Sequence, residues 1–289
     1  MDLLKKLTDL DNWNFVQEKD KVKLYDNTTD SVLFVRGDAK LEGHAFTPEQ
    51  MAIVVTFLGT RTHWDPYIAH GYVFPYEHSR FESLFVADLN TVPSRRLSCV
   101  CVREIKKDVC YIAMNSVEDP RIPMQDSVRA DLLVSGWRIQ KTETGLDVSY
   151  ITNIDLKGCV LDELRQQVPL CVGKAVEYAE KNGCPPTLTV CTAQCKYENF
   201  FSGRNSYKAI LEGPGHCSWI ISEKMYPLGL CVRIKGDVEY RMGAEEFSIS
   251  EIKGRVEVYI KCVGKKFAQK AGVRVYHPEI YKNMPPIPY

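Results

Sequence analysis

The chain lacks an excess of either charge. Its 37 lysines and arginines balance 37 aspartates and glutamates, for a formal net charge of zero, and no long run of like charge interrupts that balance. A nucleic-acid grip needs a basic face and electrostatic membrane attachment needs a basic patch, so neither is favoured. Long apolar runs are also missing: no stretch approaches the roughly 20 residues that span a bilayer. The opening MDLLKKLTDLDNWNF carries acidic groups and no apolar core of signal-peptide length. Catalytic signatures are absent too. Gly213-Pro214-Gly215 reads as a turn and not as a phosphate loop, and Ser218 lacks the strained elbow of a hydrolase. His63 beside Trp64-Asp65 is a neighbour pair in sequence, which says nothing about geometry. An enzyme is therefore not expected.

Cysteine is plentiful, at 11 residues, but its pattern excludes two uses. The number is odd, and Cys99, Cys101 and Cys171 fall inside apolar strand or helix patterns. Reduced, buried thiols in a cytoplasmic protein fit this better than a disulfide framework. Cys184, Cys191 and Cys195 cluster without the spacing of a zinc pair and without a nearby histidine, so no metal is expected.

What is present is a full core and a strand-rich pattern. The 289 residues are 45% hydrophobic, enough for two domains of about 100–200 residues each. Residues 3–10 read as a short amphipathic helix. Strand-like runs follow at Lys21–Tyr25 and Ser31–Leu41. Thr47-Pro48-Glu49-Gln50 then opens a helix with a cap, a proline at the first position and a capping box, expected to run to Gly59. Alternating runs come next at 69–74, 79–87, 96–105, 109–117, 128–140 and 145–154, with no helices between them, which favours an antiparallel sheet.

The strand 145–154 feeds directly into a change of period. Leu161, Leu164, Val168, Val172, Ala175, Val176 and Ala179 recur every three or four residues, which predicts a long one-faced helix over 160–181. Pro169 is expected to kink it and Gly173 to weaken it. Gly183 and the prolines after it end the helix and mark a domain boundary. Residues 1–183 thus form one domain and 187–289 a β-rich accessory domain, with a β-sandwich as its expected form. A short helix near 265–271 and an irregular NMPPIPY tail complete the reading.

An ordered series of motifs runs through the first domain: Trp13 and VKLY at 22–25, the helix after Thr47, Trp64-Asp65, VREIKK at 102–107, NSVEDPRIPMQDSVRADLLVSGWRI at 115–139 and ITNIDLKG at 151–158. In order and spacing, residues 10–183 resemble the START (steroidogenic-acute-regulatory-related lipid-transfer) family. The resemblance implies an α+β helix-grip fold, a curved antiparallel sheet closed by a long C-terminal helix. It also implies a tunnel for one sterol or phospholipid, transfer or sensing of that lipid through transient membrane contact, and no cofactor. Two departures stand out. Cys159 replaces a large residue after DLKG, and Arg95-Arg96-Leu97 replaces an arginine-aspartate-aromatic motif beside the loop 88–96.

Motif counting places Glu82 and Arg103 at the positions of an internal carboxylate and arginine found in several sterol-binding members, with Cys101 as the competing match for the arginine when no gap is allowed. The alternative is that either side chain lies on the outer sheet face, since strand residues alternate. The stripe Leu164, Val168, Cys171, Val172, Ala175 and Val176 is expected to line the tunnel, with an apolar volume in the usual range of roughly 300–1,000 Å³. Two other functions compete with lipid carriage. One is a lipid-gated module that engages a protein partner through 187–289, and the other is a helix-grip enzyme such as a cyclase or hydrolase.

Overall fold

The computed structural model describes residues 1–281 apart from 10, 44–45, 77–78, 123–126, 159–166, 244 and 264–274. The chain divides into two compact units. The first is Met1–Phe74 with Phe81–Glu180, and the second is Lys181 onward with the short segment Pro75–Arg80.

The first unit is built on a 10-stranded, mainly antiparallel sheet. Its strands are β1 (Asn14–Lys19), β2 (Val22–Thr29), β3 (Val32–Glu42), β4 (Ile68–Tyr76), β5 (Ser79–Leu89), β6 (Arg95–Ile105), β7 (Val109–Ser116), β8 (Val128–Arg129), β9 (Asp131–Lys141) and β10 (Gly145–Asp155). Their order is β1-β2-β3-β10-β9-β7-β6-β5-β4, and β8 adds a short parallel pair on β6. The hydrophobic alternation of 145–154 predicts one buried face, yet β10 is buried on both. The reason is a second cover. Helix α1 (Asp2–Thr8) lays Leu4 and Leu7 against Phe34, Ala113, Val134 and Ile151, and a Cβ at Gly136 would meet Leu4 at 2.6 Å.

The opposite face carries the remaining helices. Helix α2 (Pro48–Thr56) starts as the sequence dictates: Gln50 N–H donates to Thr47 Oγ1 at 3.2 Å and Thr47 N–H donates to Gln50 Oε1 at 2.8 Å. It stops before Gly59, because Phe57 is extended and a separate helix, α3 (Leu58–Trp64), begins. Side chains take over the freed carbonyls. Thr60 Oγ1 donates to Val54 O and Phe57 O, and Trp64 Nε1 donates to Val54 O.

The long helix expected over 160–181 is shorter where it is described. Val168–Leu170 form a 3₁₀ turn, and the α-helix proper, α4, runs Cys171–Asn182; residues 159–166 lie outside the described residues. Pro169, which has no N–H to donate, lies in that 3₁₀ turn. The turn sits tightly on the sheet: a Cβ at Gly37 would lie 2.4 Å from the Pro169 carbonyl oxygen. Gly173 has a positive use as well, since its missing side chain admits Val22. Gly183 adopts the left-handed φ of +77° that ends α4.

The second unit holds two sheets. One is β11 (Thr187–Cys191), β14 (Gly215–Ile220), β17 (Glu246–Ile252) and β16 (Glu239–Met242). The other is β12 (Gln194–Phe201), β13 (Ser206–Glu212), β18 (Arg255–Cys262), β15 (Gly229–Lys235) and β19 (Val275–Tyr281). Trp219 of the first sheet stacks on Phe247 and donates from Nε1 to Tyr207 of the second sheet at 2.8 Å. The sheets therefore meet face to face as a sandwich. The helix expected at 265–271 and the tail 283–289 fall outside the described residues.

Candidate functional site

Register decides which side chains share a face. One row across the first sheet runs Arg103, Ile112, Trp137, Tyr150 and Gly37; the neighbouring row runs Glu82, Val102, Ala113, Gly136 and Ile151. Successive strand residues point to opposite faces. Arg103 thus points to the side that bears Trp137 and Tyr150, while Glu82 points to the side covered by α1. The register thus sets the two groups of the Glu82–Arg103 pair expected from motif counting on opposite faces of the sheet.

A cavity of about 1,090 Å³ lies where α4 and the 3₁₀ turn cross β2, β3 and β10. Its apolar lining comes from Ala39, Val148, Leu170, Cys171 and Val176. Its rim is charged on both signs, with Lys21, Lys174 and Glu177, while Arg36 and Asp38 border it from the opposite, α1-side face of the sheet. Of the expected stripe, Cys171 and Val176 line it. Val172 and Ala175 are fully buried in packing and do not. Val168 is part-buried in the turn away from the cavity, and Leu164 lies outside the described residues. A flank of α4, and not its full apolar stripe, faces the cavity. That flank also explains the polar rim, since Lys174 and Glu177 lie on it.

Behind one wall is a polar group that the motif count passed over. On α3, Arg61 donates from Nε to Asp65 Oδ2 at 2.9 Å, one helical turn on. Asp65 Oδ1 accepts the N–H of Tyr67 at 3.0 Å, and Tyr67 and Pro66 line the cavity. The guanidinium is 7% exposed and lies over the rings of Trp64 and Phe85 at 5.6 and 5.4 Å. Burial is the largest influence and works against its charge, but Asp65, Tyr150 and Cys171 together raise its pKa above the ordinary value. Its Nη1 is buried and has no hydrogen-bond acceptor. A buried donor without a partner is unusual in a folded chain.

The surroundings are organised around this charge. Trp64 meets Trp137 edge-on at 5.9 Å, and Trp137 stacks on Tyr150 at 4.3 Å. Tyr150 Oη and Ser135 Oγ share a hydrogen bond of 2.8 Å. Burial pushes the Tyr150 hydroxyl up to about 12 and the Cys171 thiol well above its ordinary range, so both stay neutral. Two residues along β10, Thr152 Oγ1 is buried without a partner. Among the described residues no group of three or more His, Cys, Asp or Glu side chains is arranged to hold a metal ion. No described helix is long and apolar enough to cross a membrane.

Comparison with known proteins places this geometry. Residues 87–176 match the model of the START domain family. The chain is similar in structure to human STARD10, with a TM-score of 0.55 and 15% identity over 62% of this chain and 78% of that one. It is also similar to human StAR-related lipid transfer protein 5, with a TM-score of 0.54 and 16% identity over 62% and 93%. Against the lipid transfer and protein localization domain of human StarD13 the TM-score is 0.51, with 20% identity over 61% and 94%. No curated protein matches the chain by sequence.

Proposed function

We propose that this chain, which carries a START domain in its first unit, binds one lipid in the cavity under α4 and carries or senses it between membranes from the cytoplasm, without chemistry on the lipid. The ligand class in this reading is a phospholipid, not a sterol. The observation that carries it is Arg61 Nη1, a buried cationic donor with no acceptor. A sterol supplies one neutral hydroxyl, whereas a phosphate supplies several anionic oxygens matched to the guanidinium fork. The register, which sets Glu82 and Arg103 on opposite faces of the sheet, supports this reading over a sterol.

The energetics suit exchange. Burying an 18-carbon chain is worth on the order of 14 kcal/mol at ~0.8 kcal/mol per methylene, and a bilayer offers much the same. Loading and release then stay near balance, and the few polar groups at the buried end set preference. A lipid-gated module acting on a protein partner through the second unit is the alternative. Transfer of labelled lipid between vesicles distinguishes them: carriage predicts transfer with catalytic amounts of protein, while gating predicts lipid capture without transfer.

The direct experiment is native mass spectrometry of the purified chain followed by lipid extraction. One phospholipid per chain supports the reading. A chain that takes up sterol from mixed vesicles while leaving phospholipid behind overturns it.

A further inference from the structure

In the second unit, Cys191 of β11 stands directly opposite Cys217 of β14. Thr192 N–H donates to His216 O at 2.9 Å, so that neighbouring pair is the hydrogen-bonded one. Cys191 and Cys217 therefore occupy the non-hydrogen-bonded position, where facing side chains come closest. Cys217 Sγ donates to Cys191 Sγ at 3.3 Å. The two thiols differ in access, Cys217 being fully buried and Cys191 part-exposed.

They also differ in their hold on a proton. The bond from Cys217 lowers the Cys191 pKa below the ordinary thiol value against part burial and the nearby Glu198, and Arg80 assists. Arg80 is anchored beside β11 by donating to Leu188 O at 2.7 Å. The same bond, with burial, pushes Cys217 upward. When neutral, Cys191 donates to Ala193 O at 3.1 Å, an interaction open to it in place of ionisation. Cys195, the next cysteine along, is buried with its Sγ near Tyr197 O and its pKa raised by that burial. It is thus the poorer partner for oxidation.

We propose that Cys191 and Cys217 form a peroxide-responsive pair, in which Cys191 is the modified thiol and Cys217 the resolving one. The Cys191 thiolate attacks one oxygen of hydrogen peroxide; an S–O bond forms, the O–O bond breaks, and the hydroxide released takes up a proton to become water. Cys217 sulfur then attacks Cys191 sulfur; an S–S bond forms, the S–O bond breaks, and the hydroxyl leaves as water with the Cys217 proton. Two thiols are oxidised to a disulfide by one peroxide, which is reduced to two waters. The second unit alone contains the pair, so the test is independent of the lipid reading.

The full chain, reduced and then exposed to one equivalent of hydrogen peroxide, is digested without reductant and mapped by mass spectrometry. The expected result is a Cys191–Cys217 cross-linked peptide lighter by two hydrogens. In Cys217→Ser, a sulfenic-acid probe should label Cys191 and the cross-link should vanish. Since Cys217→Ser alters a buried site, the wild-type map decides by itself. Free Cys191 and Cys217 after peroxide in a chain that remains folded by circular dichroism, or a cross-link from Cys191 to Cys195, overturns the proposal.

Discussion

Arg61 and Asp65 are joined Nε to Oδ2 at 2.9 Å across one helical turn, both nearly inaccessible, with the guanidinium Nη1 buried and without an acceptor. A charge buried with its partner removed is costly, about 3–5 kcal/mol. Asp65→Ala is therefore expected to lower stability in urea by about that amount. The double change Arg61→Met with Asp65→Leu should regain most of it, because two apolar groups leave no stranded charge. Equal stability of Asp65→Ala and the parent would remove the pair from the interior.

The cavity face of α4 gives a contrast between two positions one turn apart. Val176 lines the cavity, whereas Val172 is packed solid. Val176→Trp is expected to abolish lipid co-purification, read by native mass spectrometry, at little cost in stability. Val172→Trp should instead cost about 1–3 kcal/mol by overpacking. The reverse pattern would place the ligand against the Val172 turn of the helix.

Gly37 is required by a close approach and not by its backbone angle. A methyl group there would press on the Pro169 carbonyl oxygen at 2.4 Å, a backbone atom that cannot swing aside. Gly37→Ala should destabilise the chain by about 1–3 kcal/mol and speed amide exchange in the first turn of α4, around Cys171–Lys174. Unchanged exchange there would show that the turn tolerates displacement.

The acid limb of stability should report Asp88. Arg96 donates to both its oxygens, at 2.6 and 2.9 Å, and these bonds hold the carboxyl below its ordinary 3.8 against part burial. A depressed folded pKa stabilises above the unfolded value and loses that contribution as pH falls through the folded one. The parent should therefore weaken more steeply than Asp88→Asn as pH is lowered below about 4. Parallel curves would show that the pair contributes nothing to the pH dependence.

Much of the frame was legible because it depends on local signals. Alternation located most strands of the first sheet, and Thr47-Pro48-Glu49-Gln50 announced α2 through its capping box. Gly183 announced the end of α4. What escaped was tertiary in origin. β1 is exposed along its whole length, so it carries no burial pattern to read. Glu82 and Arg103 looked like partners because face depends on register, and register is set by strands remote in sequence. The Arg61–Asp65 spacing was visible as an i, i+4 charge pair beside Trp64, but such pairs are usually solvated. Only the fold shows this one buried with a donor to spare.

The central claim is that the interior of the first unit receives a phosphate-bearing lipid at Arg61. Arg61→Lys keeps the charge but removes Nη1 and the fork. Parent and variant, each incubated with vesicles containing equal phospholipid and sterol, should be weighed by native mass spectrometry. The parent should carry one phospholipid, and the variant, still folded, should lose at least about tenfold in occupancy, the loss of one charge-assisted bond. A parent that carries sterol, or a variant that carries phospholipid as fully as the parent, would contradict it.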